Sequence, residues 1–310
     1  MTLTVLTWLW AQPGGRTRYT DAHVRIWAAM VRRYLSIPHR IAVVTDLPGD
    51  YDGIDVIAPP HDFEDARIPT WGEHMPQCLR RIAMFRPDAA SIFGERFISM
   101  DLDCVISGPL DPLFDRSEDF VMYRGVTRQR PYNGSMLMMT AGVRPQVYER
   151  FTPEGAIEAG QRYLGSDQAW ISHVLGAGEA TWGAENGVHA WDSQWNRGDP
   201  RITFFLSKDK PWNFVDAGDP FVCGHYRGDA RGQCLILGYA PTVWDEAHTA
   251  NGPFEAVIAS PEASAHQEAQ GWAWGKVDAV AHTDEHALRI ARMMGFGPNQ
   301  ITFCGQQLAA

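Results

Sequence analysis

The first hundred residues alternate short apolar runs with polar, turn-prone stretches. Residues 3 to 10, from Leu3 to Trp10, carry no charge and read as a buried strand. Thr20-Asp21 supplies a helix start, and Val24, Trp27, Ala28, Val31 and Leu35 then recur near the helical period. Ile41 to Thr45 makes a second strand and Ile54 to Ile57 a third. Strand, helix, strand in this order predicts an α/β chain with parallel pairing and helical cover. Ligands of such sheets bind beyond the carboxyl ends of the strands, where Thr7, Trp8 and the residues up to Gln12 fall.

Further along, Met75 to Phe85 reads as a helix carrying Arg80 and Arg81, followed by the apolar run Phe97 to Met100. These arginines could contact phosphate, a solvated helix face being the alternative for at least one of them. Phe120 to Tyr123 and Tyr132 to Met139 are strand-like, the methionines of the second suiting a core. A helix is predicted around Asp167 to Val174, with Ser166 as its cap. From about Pro241 the chain turns rich in Ala, Glu and His. Its elements there are Glu255 to Ile258, Val277 to Val280, a helix from Thr283 to Met294, and Ile301 to Phe303. The expected division is a main domain over 1–240 and a small α/β appendage over 241–310.

Composition narrows the classes. With 310 residues, 45% hydrophobic and 21% charged, the chain can bury a large core and needs no disorder. A formal net charge of -10 disfavours a broad nucleic-acid footprint or an anionic membrane surface as main partner. Five widely spread cysteines without a C-x-x-C indicate neither a disulfide framework nor a thiolate zinc site. Neither a signal peptide nor an apolar stretch near the ~20 residues of a membrane span is evident, so a cytoplasmic protein is expected.

Candidate chemistry concentrates at Asp101-Leu102-Asp103, where an apolar run ends and a turn, Gly108-Pro109-Leu110, soon follows. Residues i and i+2 of a strand point the same way, so both carboxylates can reach one hard cation. Carboxylates suit magnesium or manganese, which commonly complete their shell with substrate phosphates. Spacing alone leaves a second interpretation, a strand end capped by acidic turn residues. A second copy, Asp50-Tyr51-Asp52, follows a glycine in a turn and reads as solvated loop.

In their order and flanks these segments resemble the GT-A glycosyltransferases, and among them the family-8-like enzymes of the glycogenin and galactosyltransferase type with their bacterial and phage relatives. The likeness spans roughly residues 3 to 226. It rests on the D-x-D motif with its Gly-Pro-Leu turn, on Tyr132-Asn133-Gly134-Ser135, and on Gly165-Ser166-Asp167-Gln168. A third family element, H-x-x-G-x-x-K-P-W, is split: Lys210-Pro211-Trp212 keeps its end, while Phe204 and Ser207 stand where histidine and glycine would be. His225, with Gly228 and Arg231 after it, repeats the missing spacing without Pro-Trp.

The resemblance implies a GT-A, Rossmann-like mixed sheet flanked by helices. It implies a metal-dependent transfer of a sugar from a nucleotide-diphosphate sugar, with uracil as the base, to an acceptor hydroxyl with retention of configuration. Asp101, Asp103 and His225 would hold Mn2+ or Mg2+; Thr7, Trp8, Arg81, Asp101, Lys210 and Trp212 would bind the donor; Asp167, Gln168 and Asn133 would form the reaction centre. The acceptor is open among a saccharide, a protein, a small metabolite and a modified nucleobase, and a homodimer is compatible with the appendage. Sugar faces pack on aromatic rings, which brings Trp8, Trp170 and Trp212 forward among twelve tryptophans, most of them core residues.

Two other functions compete. A sugar nucleotidyltransferase is suggested by Gly14-Gly15-Arg16 after the first strand, although the rest of a phosphate-loop pattern is missing. A non-catalytic binder of sugar nucleotides or glycans is suggested by the split motif. His282 and His286 lack the H-E-x-x-H order of a zinc hydrolase and read as structural or solvated.

Overall fold

The computed structural model describes residues 2–12, 15, 17–69, 75, 77–126, 130–191, 199–206, 208–237, 254–270, 277–303 and 306–307. It forms two compact units, Met1–Val24 with Val31–Lys208, and Arg25–Met30 with Asp209–Ala310. The α/β class and the mixed, helix-flanked sheet expected from the sequence are what the structure has.

In the first unit β1 (Leu3–Leu9) lies between β2 (His39–Thr45) and β4 (Arg96–Met100), parallel to both. A strand paired on both edges and covered on both faces reads as a continuous apolar run, and all seven of its residues are buried. β3 (Asp55–Ile57) extends the parallel half beside β2. Beyond β4 the pairing reverses: β7 (Tyr132–Thr140) is antiparallel to β4 and to β6 (Phe120–Arg124), and β8 (Ala180–Trp182) runs parallel to β6. The described sheet order is therefore β3-β2-β1-β4-β7-β6-β8.

The helix Asp21–Tyr34 begins at Thr20, whose N–H donates to His23 Nδ1 at 3.0 Å, and buries Val24, Trp27, Ala28 and Val31. One core cluster joins Leu6, Phe97, Leu137 and Met139 of the sheet to Ala156 and Ala159 of the helix Pro153–Arg162 and to Ala169, Trp170 and Ile171 of the helix Asp167–Leu175. Trp8 and Trp170 belong to this core; Trp170 satisfies its indole N–H on the Val147 carbonyl at 2.8 Å. Neither presents a free aromatic face for a sugar.

After β4 the chain bends at Asp101–Asp103 and enters β5 (Cys104–Ile106), which leaves the large sheet. β5 pairs antiparallel with β10 (Ile202–Phe204), and β10 pairs parallel with β9 (Val188–Ala190). The D-x-D carboxylates thus sit in the hinge between two sheets, not along one strand. The expected helix over Met75 to Phe85 is a 3-10 helix, Leu79–Phe85, and every one of its residues is buried.

The second unit has its own sheet in the order β13-β12-β11-β14-β15 among the described residues. β11 (Cys234–Leu237), four residues that periodicity left unassigned, pairs parallel with both β12 (Ala256–Ala259) and β14 (Ile301–Phe303). β13 (Ala279–Val280) and β15 (Gln306–Gln307) are the edges. The helix Asp284–Met293 is capped by Thr283, whose hydroxyl accepts the His286 N–H at 3.1 Å, and His286 Nε2 meets Asp216 Oδ1 at 2.8 Å. That pair gives His286 the structural role expected of it.

Candidate active site

The site is built where β4 ends beside β7. Asp101 donates its N–H to the Ser135 carbonyl at 2.8 Å, which fixes the start of the carboxylate bend against the Asn133-Gly134-Ser135 segment of β7. At the other end of the bend, Phe205 N–H donates to the Asp103 carbonyl at 2.9 Å. The backbone carrying both carboxylates is therefore pinned from two sheets.

Arg81 is the centre of the cluster. Its Nη1 donates to Asp101 Oδ1 at 2.5 Å, its Nε to Asp167 Oδ2 at 2.8 Å, and its Nη2 to the Gly134 carbonyl at 3.0 Å. Nη2 also lies 2.6 Å from Asp167 Oδ2, so the fork grips that carboxylate from two nitrogens. Burial works against the Arg81 charge, yet Asp167 and Asp101 outweigh it and raise its pKa well above the ordinary arginine value. The phosphate contact expected of Arg81 would require some of these bonds to be exchanged. Neither arginine lies on a solvated face: Arg80 is equally buried and is held by the Pro60 carbonyl, Asp46 and Glu64.

Asp103 is held separately, by the Tyr19 hydroxyl donating to its Oδ2 at 3.0 Å. Burial, then the charges of Asp103 and Asp101, raise the Tyr19 pKa well above its ordinary value, so the phenol stays a donor. Gln168 Oε1 accepts the Gly134 N–H at 3.0 Å, and its Nε2 donates to the Leu164 carbonyl at 3.3 Å. Asn133 Oδ1 accepts the Ser135 N–H at 2.8 Å. The Ser166 hydroxyl does not cap its helix; it accepts the Cys78 N–H at 2.9 Å and so ties the helix start to the segment before Arg81. The Cys78 thiol is pushed up to about 12 by burial and is no nucleophile.

Gly134 is a close-approach glycine. A Cβ there would lie 2.8 Å from Arg81 Nη2 and 3.2 Å from Asp167 Oδ2, inside the ion cluster. Asp101 and Asp167 share the Arg81 guanidinium, while Asp103 accepts from the Tyr19 hydroxyl.

Among the described residues no group of three or more His, Cys, Asp or Glu side chains is arranged to hold a metal ion. Two carboxylates suit an ion that takes one or two protein ligands and fills its remaining positions with water and phosphate oxygens, as magnesium does. Asp101 and Asp103 fit that demand by donor type.

The structure brings together Asp101, Asp103, Arg81, Asn133, Asp167 and Gln168. Thr7 is fully buried, and its hydroxyl has no hydrogen-bond partner among the described residues. Lys210, Trp212 and His225 belong to the second unit. Lys210 is buried and precedes the helix Pro211–Asp216, its N–H donating to Asn213 Oδ1 at 2.8 Å. Trp212 packs 6.5 Å from the Tyr226 ring, and His225, last in the helix Pro220–His225, lies 5.1 Å from the Phe221 ring. Phe204 lies buried in β10. Ser207, Gly14 and Arg16 lie outside the described residues. Tyr19 was missed by sequence reasoning because nothing in its spacing points to a carboxylate 84 positions away.

No protein-family model and no curated protein matches the chain. Solved structures similar to it include the galactosyltransferase LgtC in complex with donor and acceptor sugar analogs, at 11% identity over 67% of this chain and 89% of that one, with a TM-score of 0.44. Another is the apo-form glycosyltransferase GlyE of Streptococcus pneumoniae TIGR4, at 11% identity over 94% of this chain and 83% of that one, with a TM-score of 0.45. Likenesses of this size leave the assignment to the chain's own residues. No described helix is long and apolar enough to cross a membrane.

Proposed function

We propose that the chain is a GT-A-type glycosyltransferase that moves a sugar from a nucleotide-diphosphate donor, a UDP-sugar, to an acceptor hydroxyl, with a divalent ion and with retention. One observation carries this reading. At the exit of a central strand Asp101, the first D-x-D carboxylate, is joined through Arg81 to Asp167, with Asp103 two residues on and Gln168 and Asn133 beside them. A divalent ion held by Asp101 and Asp103 supplies, when bound, electrostatic stabilisation for charge on a departing diphosphate.

The chain's own residues do the rest. Arg81 holds Asp167 in one orientation, and the bonds to Gly134 and Leu164 lock the Gln168 amide, so the groups offered to a sugar are fixed before it arrives. Asp167 and Asn133 are buried and Gln168 half-buried, which limits the access of water, the competing acceptor in any glycosyl transfer. The roles that family resemblance gives Lys210, Trp212 and His225 belong to the same proposal.

The test is calorimetric titration of UDP and UDP-hexoses, with and without manganese, into wild type and Asp103→Ala. Binding that needs the metal and falls at least about 100-fold in the variant is expected. Absence of metal-dependent nucleotide binding in the wild type would sink the proposal.

A further inference from the structure

Arg130 stands next to this cluster and takes no part in it. It is only 6% exposed. Its Nη1 donates a short hydrogen bond to the Leu164 carbonyl, the same oxygen that receives Gln168 Nε2. No carboxylate pairs with it among the described residues, and its buried Nε has no partner. The nearest acidic field is that of Asp167, whose carboxylate is already gripped by Arg81. Burial accordingly pulls the Arg130 pKa down, and Asp167 offsets this only in part.

A guanidinium cannot give up its proton at ordinary pH, so its burial without a counter-ion is a standing cost. Arg80 and Arg81, the other buried arginines among the described residues, each hold two carboxylates. Arg130 departs from that rule at the one place where a ligand is expected. Its planar fork, with Nε and Nη2 uncommitted, matches the two oxygens of a carboxylate or phosphate.

We propose that Arg130 reads an oxyanion carried by the saccharide that enters beside Gln168, a sugar carboxylate or a sugar phosphate, and so selects an acidic sugar over its neutral twin. This rests on the glycosyltransferase reading of the site and narrows its substrate class. The shared chemistry has two sources, an acid on the donor's own sugar or one on a free saccharide acceptor, and the experiment separates them.

Binding is measured by calorimetry for matched pairs: UDP-glucuronate against UDP-glucose, and glucuronate or glucose 6-phosphate against glucose. Titrations use wild type, Arg130→Gln and Arg130→Lys, with UDP alone as a further ligand and thermal melts to check folding. An acidic member is expected to bind at least about tenfold tighter than its neutral twin in wild type, one well-made charge-assisted contact being enough for that. The preference is expected to shrink below about twofold in Arg130→Gln and to survive partly in Arg130→Lys. The pair that shows it names the source.

No acidic preference in any wild-type pair overturns the proposal, and so does a preference that persists in Arg130→Gln. Equal weakening of UDP and every conjugate overturns it too, by assigning Arg130 to the diphosphate. Should the variants not fold, the wild-type pairs alone decide. Loss of all nucleotide binding in wild type would instead strike the glycosyltransferase reading, while the free saccharides still report on Arg130.

Discussion

The same spacing of carboxylates occurs twice in this chain, and the two copies have opposite surroundings. Asp50 and Asp52 lie exposed in the turn between β2 and β3, near the sheet edge. There Asp50 N–H donates to Asp21 Oδ2 at 2.8 Å, and Asp52 N–H donates to Asp50 Oδ1 at 3.2 Å. Asp50 Oδ1 thus serves the backbone two residues on. Asp101 and Asp103 follow β4, a buried strand paired on both edges, and each is fixed from far along the chain, one by Arg81 and the other by Tyr19. Spacing gives two carboxylates a common direction; the anchoring of the strand before them decides whether distant groups can collect around them.

The largest test of that difference is Arg81→Ala against Asp52→Ala. Removing Arg81 leaves Asp167 buried without its partner and should cost about 3–5 kcal/mol in urea unfolding, whereas Asp52→Ala should stay within about 0.5 kcal/mol. Similar losses in the two variants would break the comparison.

Next in size is a pair of phenol deletions. Tyr19→Phe removes the donor on Asp103 and should weaken manganese binding, read from the paramagnetic signal of free ion, by about tenfold. Tyr51→Phe, whose hydroxyl donates to the Leu47 carbonyl in the exposed copy, should leave it unchanged.

The smallest effect sharpens the contrast with a third kind of acid. Glu118, on the surface, is bonded by Arg116 through Nε at 3.2 Å and through Nη2, and these bonds lower its pKa to about 2. A depressed carboxylate contributes stability above its unfolded value near 4.5, and that contribution disappears as pH falls through about 2. Glu118→Gln should therefore melt slightly below wild type at pH ~6, the gap closing toward pH ~2. A gap independent of pH would show that the pair contributes nothing electrostatic.

What the sequence disclosed follows from range. β1, β2, β4, β6 and β7 were legible because each is a run of apolar residues long enough to stand out, and their burial needs nothing beyond the sheet. β5, β9, β10 and β11 were not picked out, although β3, β12 and β14 of the same three or four residues were: at that length a period cannot separate a strand from an apolar stretch of loop. Asp101, Asp103, Asn133, Asp167 and Gln168 could be picked out because their neighbours form motifs. Arg81 was visible as a cation but not as the link between Asp101 and Asp167, since helical periodicity says nothing about a carboxylate 86 positions later. Arg130 has no pattern around it. Only the absence of a carboxylate beside it, among the described residues, distinguishes it.

The Arg81 bridge also sets an order of events during synthesis. When Arg81 leaves the ribosome, Asp101 follows 20 residues behind, but Asp167 is 86 residues away. At ~5–20 residues per second, Arg81 waits on the order of ten seconds for its second counter-charge. β1, β2 and β4 can pair in that interval, while the pocket they open toward still holds a half-neutralised cation. A nascent chain or fragment that stops before residue 167 would carry the strands and the D-x-D bend without the lock that joins them.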